Sequence, residues 1–266
     1  MRAGAAGVKS RKTSVTFQNL HLLRELVSRD FNARFAGSAF GVAWAVLQPL
    51  SFVCLYWFVF SFMIPRGPGV AGDEYIYYLI SGLVPWLGIN DGVTRSVTSI
   101  VENSSIVRRL PLRSELLVIT PNVSTLIFEC IGLAVFMPFV IARGGSLRLL
   151  WVLPIAVAIQ FALQVGVGLF LAAIFVFFRD LSQFIGFALS IVFYLSPILY
   201  SAKGRFETFF AWNPLTALLG LFRSAVLSSP LPEARSIVFL LVVAIVLPGS
   251  GLLFFRRTRA TFVDLI

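Results

Sequence analysis

Four stretches of this chain, residues 40–64, 116–141, 149–178 and 237–255, carry a single charged side chain among them, Glu129. A helix crosses the hydrocarbon of a bilayer in about 20 residues. In lipid, only a helix or a closed barrel bonds every backbone polar group internally. Runs of this length therefore predict helices solvated by lipid. The rest of the composition agrees, with 13% charged and 58% hydrophobic residues against about 25% charged in an ordinary soluble domain. Two shorter apolar runs complete the set: 75–89, whose helix continues through 91–101 beyond the membrane face, and 184–200. The expectation is an all-α polytopic membrane protein with six transmembrane helices and both termini on one side.

Residues 206–227 resist that scheme, being apolar but broken at Asn213-Pro214 and carrying Glu207 and Arg223. Irregular backbone is tolerated at membrane depth only where protein or a cavity surrounds it. This stretch reads as a re-entrant or interfacial helical hairpin between spans five and six. Orientation follows from the basic residues. With the N-terminus inside, fifteen of the twenty-two Lys and Arg residues fall in cytoplasmic segments, so an N-in/C-in topology is expected.

The chain divides into a basic cytoplasmic tail with an amphipathic helix (1–39), a transmembrane region (40–255) and a short basic cytoplasmic tail (256–266). No cleavable signal peptide is expected, because the first apolar run is too long and too late for one. Within the first region, Phe17, Leu20, Leu23, Val27, Phe31 and Phe35 share a sector of about 120° on a helix, together with Arg24 and Arg34, which would have to snorkel. Such a helix lies on the cytoplasmic leaflet. It is either a plain anchor or a platform that also meets a cytoplasmic partner.

Several chemistries are disfavoured. The string Gly7-Val8-Lys9-Ser10 lacks the Gly-Lys pair of a phosphate loop, so ATP binding by that route is not expected. A single histidine, His21, speaks against His-rich metal sites and His-based acid–base work. Cys54 and Cys130 stand alone in apolar runs and read as packing residues. The net charge of +10 flanks apolar segments, which points to membrane orientation and not to nucleic acid.

Glu129, near the middle of span three, is costly there and a functional candidate by default. It is either neutralised, by protonation or an amide bond between helices, or it faces a wet conduit. Gln160 and Gln164, one turn apart on span four, are the other deep polar side chains, and Gly166, Gly168, Ala172 and Ala173 suit close helix packing. Aromatic patterning is more specific. Trp44, Gln48, Phe52 and Tyr56 recur every fourth residue, and Phe184, Phe187 and Tyr194 share a face that Phe193 opposes. Such rings either face lipid or stack on sugar rings along a path, where binding weak enough to release permits conduction.

A series of strings carries a family resemblance. Arg29-Asp30-Phe31-Asn32-Ala33-Arg34-Phe35 is followed by Gly41-Val42-Ala43-Trp44, Leu47-Gln48-Pro49-Leu50 and Gly82-Leu83-Val84-Pro85-Trp86. Then come 102–111, Arg179-Asp180-Leu181, Phe193-Tyr194-Leu195-Ser196-Pro197, Asn213-Pro214 and Arg223. Together they resemble the permease subunits of ABC transporters that export cell-surface polysaccharides such as O-antigen, capsule and teichoic acid. The basic tail through Arg259 and Asp264 is closer to the O-antigen branch.

The resemblance implies a homodimer in the bacterial inner membrane, joined to two copies of a separate ATPase that holds ATP and Mg, and moving a lipid-linked polysaccharide outward. It implies no cofactor in this chain. Residues 100–113 match the family's coupling segment, with Ile106, Val107, Arg108, Arg109 and Leu110 as docking candidates. Arg29, Asp30 and Arg34 match the interface helix. Asn213, Pro214 and Arg223 match an external gate, and Trp44, Gln48, Phe52, Tyr56, Phe184, Phe187 and Tyr194 become candidates for the channel lining. A lipid or drug cargo within the same architecture stays open, as does a proton-coupled transporter using Glu129; a membrane-embedded transferase is disfavoured by the scarcity of acid–base groups.

Overall fold

The computed structural model describes residues 4–59, 62, 72–109, 113–142, 148–200 and 207–265. Every regular element among them is helical: α1 (Gly4–Phe35), α2 (Trp44–Phe58), α3 (Gly72–Glu102), α4 (Ser104–Arg109), α5 (Glu115–Ala142), α6 (Val152–Phe177), α7 (Leu181–Tyr194), α8 (Glu207–Ala211), α9 (Pro214–Leu227), α10 (Ala234–Thr258) and α11 (Phe262–Leu265), with short 3₁₀ turns before α2 and after α10. Three of them, α5, α6 and α10 with its extension to Thr261, are long and apolar enough to cross a membrane. They coincide with three of the four uncharged runs because nothing inside those runs competes with the backbone ladder. Of the fourth, 40–64, α2 occupies 44–58, a 3₁₀ turn precedes it, and residues 60, 61, 63 and 64 lie outside the described residues. α3 spans 31 residues, about 46 Å at 1.5 Å per residue, so it continues past the apolar run through Asp91 and Arg95, as its pattern predicts.

One expected span is shorter than its apolar run. Residues 184–200 were expected to be helical throughout, but α7 ends at Tyr194. Ser196 precedes Pro197, and the proline ring disfavours helical backbone at the residue before it. The chain instead turns through 195–200. The segment 206–227 is likewise two helices: Asn213 caps α9, its side chain accepting from the Leu215 N–H at 2.9 Å, with Pro214 at the first helical position.

The core is built on α3, α5, α6, α9 and α10. Close approach is obtained with glycine. A Cβ added to Gly166 on α6 would stand 2.7 Å from the Pro248 nitrogen of α10, and one on Gly251 of α10 would stand 2.6 Å from the Gly166 carbonyl oxygen. On α3, Gly88 and Gly92 instead make room for side chains of α5 and α6. α2 packs on α3 and α5, whereas α7 packs on α3 and α6. The link between α1 and α2 turns at Gly37 and Gly41, both at positive φ, where a glycine carries no Cβ penalty. Cys54 and Cys130, expected as packing residues, lie on outward faces of α2 and α5 and are exposed.

A second, smaller core lies at the end of the bundle that holds α4. Ile100, Leu117, Val118, Phe255 and Phe262 are buried there, with Leu26, Ile106 and Val107 packed against them. The tail after α10 closes this core. Phe262 stacks edge-on against Phe255 at 5.2 Å, and Glu115 accepts from Arg256 Nε at 3.0 Å with Arg259 at 3.7 Å.

Candidate functional site

The inner faces of α3, α5 and α6 meet along a polar seam. Glu129 of α5 accepts a hydrogen bond from the Gln160 side-chain amide of α6, in the space left by Gly88 of α3. A Cβ at Gly88 would lie 2.2 Å from Glu129 Oε2. One turn along, Asn122 donates to Ser96 Oγ at 2.7 Å and to the Val118 carbonyl at 2.8 Å, opposite Gly92 and Gln164. Glu129 is thus amide-bonded between helices, one of the two states open to it from sequence. The missed signal was the four-residue spacing Gly88, Gly92, Ser96, which clears one face of α3 for the polar side chains of α5 and α6.

Beside the seam lies a pocket of about 240 Å³ between α1, α2, α3 and α5, lined in part by Trp44, Gln48, Phe52, Asp91, Phe128 and Glu129. Its mouth is set by α1. Arg34 pairs with Asp91, and its guanidinium lies over the Phe128 ring at 4.4 Å. Phe31 stacks face to face on the same ring at 4.8 Å. One helical turn earlier on α1, Asp30 pairs with Arg95. Thus Asp30 and Arg34, four apart on α1, meet Arg95 and Asp91, four apart in reverse order on α3. This arrangement fixes α1 antiparallel to that part of α3. Arg34 turns inward to an acid and does not snorkel as its place in the apolar sector suggested. Asp91 and Arg95 were missed because they sit where the apolar run of α3 ends and read as solvated helix. The complementary i, i+4 charges on α1 and α3 were the available signal.

Arg29 borders a neighbouring polar cleft with Asp30, Arg95 and Glu102. α4 follows α3 after a single-residue break at Asn103, whose side chain donates to the Ser99 carbonyl at 2.8 Å. In α4, Ile106 and Val107 turn into the small core while Arg108 is exposed. The side chain of Arg109, all of Leu110 and the side chain of Tyr56 lie outside the described residues.

At the other end of α3, the unwound carbonyls of 195–200 are captured by side chains from α3 and from α9 with its cap. Arg223 donates to the Pro197 carbonyl at 2.7 Å and lies 3.7 Å over the Tyr78 ring. The Tyr78 hydroxyl donates to the Tyr200 carbonyl at 2.7 Å, and Tyr75 to the Leu199 carbonyl at 3.0 Å. Asn213 donates to the Leu195 carbonyl at 3.1 Å. The structure therefore brings Asn213, Pro214 and Arg223 together around one turn. The buried guanidinium is held through Nη2 by carbonyl oxygens and by an aromatic face, while its Nε has no hydrogen-bond partner among the described residues.

The aromatic residues form two groups. Trp44, Gln48 and Phe52 border the pocket beside α5, whereas Phe184, Phe187 and Tyr194 form an outward face of α7, each more than 60% exposed. Phe193 points the opposite way, as the angles predict, and packs on Trp86 at 5.5 Å.

A helical bundle with three membrane-length apolar helices and a polar seam between buried faces describes a polytopic membrane protein. The chain belongs to the ABC-2 type transporter family, whose family model matches residues 21–227. It is a multi-pass protein of the bacterial inner membrane, in a family whose members are transport subunits with the ATPase on a separate chain. It is similar to an O-antigen export system permease protein, RfbA, of Klebsiella pneumoniae, at 27% identity over 250 residues covering 92% of this chain and 95% of that one. The RfbA protein of Myxococcus xanthus is 26% identical over 256 residues, covering 94% and 97%. The polysialic acid transport protein KpsM of Escherichia coli is 25% identical over 242 residues, covering 87% and 91%.

Proposed function

We propose that this chain is the channel-forming membrane subunit of an ATP-driven exporter that moves a lipid-linked cell-surface polysaccharide, O-antigen-like in kind, out of the cytoplasm. The observation that carries this reading is the match over nearly the whole chain to permeases named for O-antigen export, with 92% of this chain covered. In this reading two copies join two copies of a cytoplasmic ATPase, which supplies the ATP and Mg sites. The chain crosses the membrane six times, N-in/C-in, with α7 as a short fifth span and α8–α9 as a re-entrant external hairpin. Exposed Phe184, Phe187 and Tyr194 support a path lined by rings, because an aromatic face left open on a single copy is available to a second copy and to sugar. α4 is the coupling element: Ile106 and Val107 anchor it and Arg108 is offered outward. Against proton coupling stand the partner of Glu129, an amide of Gln160, and the pairing of Asp91, the other acid at the same pocket, with Arg34.

The test is co-purification with the ATPase encoded beside it and assay of vanadate-sensitive hydrolysis. A two-plus-two complex is expected, with activity lowered at least fivefold by Arg108→Glu with Arg109→Glu. Purification of the chain alone, with proton-driven flux in proteoliposomes abolished by Glu129→Gln, would overturn the assignment.

A further inference from the structure

Two cavities adjoin on α3 and α5, and they differ in chemistry. One, of about 210 Å³, is apolar throughout, lined by Leu50, Ile80, Val135, Phe136 and Phe139 among others. The other, of about 240 Å³, shares Val84 and Gly132 with it but adds Gln48, Asn90, Asp91, Thr125 and Glu129 to rings from Trp44, Phe52 and Phe128. Side chains with so much hydrogen-bonding capacity are expensive inside a membrane bundle and are retained where they serve a ligand or a path. Part of that capacity is unused. Glu129 is 4% exposed, and its Oε1 has no hydrogen-bond partner among the described residues, while Oε2 is held by Gln160.

The lining also selects a ligand class. Among the described residues the one cation at the pocket, Arg34, is already engaged by Asp91 and by the Phe128 ring. A phosphate or pyrophosphate entering here would face Asp91 and Glu129 with no free counter-charge, so the phosphate end of a lipid carrier does not fit. A purely apolar chain would strand Gln48, Asn90 and Glu129 without partners. A pyranose satisfies both constraints, because its hydroxyls bond carboxyl and amide groups while its C–H faces pack on rings. The volume is below the about 300–1,000 Å³ of drug-sized sites and suits a single ring unit.

The geometry points to a monosaccharide subsite within each protomer, between α1, α2, α3 and α5, that holds one pyranose unit of the glycan apart from any channel formed between two copies. It rests on the exporter reading. Because Arg34 and Phe35 of α1 line the pocket and Phe31 stacks on the lining ring of Phe128, a sugar seated here is reported directly to the helix at the cytoplasmic face.

The test uses the complete complex with its ATPase in the native host, with the photo-crosslinking residue p-benzoylphenylalanine at position 128, which keeps the first ring of Phe128, or at position 187 on the outward face of α7. After illumination, glycan attached to the chain is detected by its mass ladder. Adducts are expected at both positions, and Gly132→Leu, which fills the pocket, is expected to lower the adduct at 128 at least tenfold while sparing that at 187. If Gly132→Leu does not assemble with the ATPase, Gln48→Leu takes its place with the same expectation. An adduct at 187 without one at 128 overturns the subsite and leaves the exporter reading intact. An adduct at 128 indifferent to both substitutions also overturns the subsite. Adducts at neither position, in a complex that assembles, count against the exporter reading itself.

Discussion

At the scale of single residues, the sharpest constraint is the glycine opposite Glu129. The Glu129 carboxyl occupies the volume a side chain at position 88 would need, with 2.2 Å between an added Cβ and Oε2. Gly88→Ala therefore forces the carboxyl off its Gln160 partner. A loss of about 1–3 kcal/mol is expected for such overpacking, read as a lower unfolding midpoint in detergent. In a Glu129→Ala background the same substitution should cost much less, since the two residues contest one space. Equal costs in both backgrounds would mean that the carboxyl does not sit there. This pairing also marks the limit of legibility at this scale. Sequence placed Glu129 at depth and left two states for it, since periodicity gives the face of a helix but not what the neighbouring helix presents. Gln160 was visible as a deep amide, yet nothing in the sequence joined it to Glu129.

At the scale of elements, α5, α6 and α10 were legible because long uncharged runs admit one solution. α7 was not, because composition continues apolar past Tyr194 while backbone geometry at Ser196-Pro197 ends the helix. The C-terminal tail is a different case: its basic residues read as orienting charge, yet Arg256 and Arg259 converge on one acid at the start of α5. The Glu115 side chain is 7% exposed, whereas those of Arg256 and Arg259 are 53% and 48% exposed. The contact is therefore asymmetric. Removing both cations, Arg256→Gln with Arg259→Gln, strands a buried carboxylate, and about 3 kcal/mol is expected to be lost. Glu115→Gln leaves two arginines that water can solvate, at a cost nearer about 1 kcal/mol. Denaturant titration of the purified chain distinguishes this order from its reverse. Since Phe262 and Phe255 share a core with Ile106 and Val107, the double variant should also loosen α4 and speed amide exchange there.

At the scale of the whole molecule, exposed apolar side chains have two fates, lipid or a second copy, and a charge tells them apart. Ile245 on α10 is 73% exposed, and Phe187 on α7 is 65% exposed. If α10 faces lipid, Ile245→Arg carries the insertion penalty of about 2.5–3.5 kcal/mol for a charge at the centre of a span. If α7 borders a wet path between copies, Phe187→Arg escapes most of it. A membrane-insertion assay with engineered glycosylation sites should show Ile245→Arg reducing insertion strongly and Phe187→Arg little. Equal losses would place both faces in lipid.

Gly166 and Gly251 leave no slack between the backbones of α6 and α10, and the space at Gly88 of α3 is filled by the Glu129 and Gln160 side chains of α5 and α6. Helices that touch backbone to backbone cannot slide without collision, so α6 and α10 move as one unit, and α3 and α5 complete the frame through buried side chains. α1, α2 and α7 rest on that frame through side chains and ion pairs, which can be exchanged. Stroke and frame are thus separated within one chain: in the exporter reading, a displacement delivered through α4 is expected to be taken up by the outer three. Substitutions that tighten those three helices should therefore stall turnover in a molecule that remains perfectly folded.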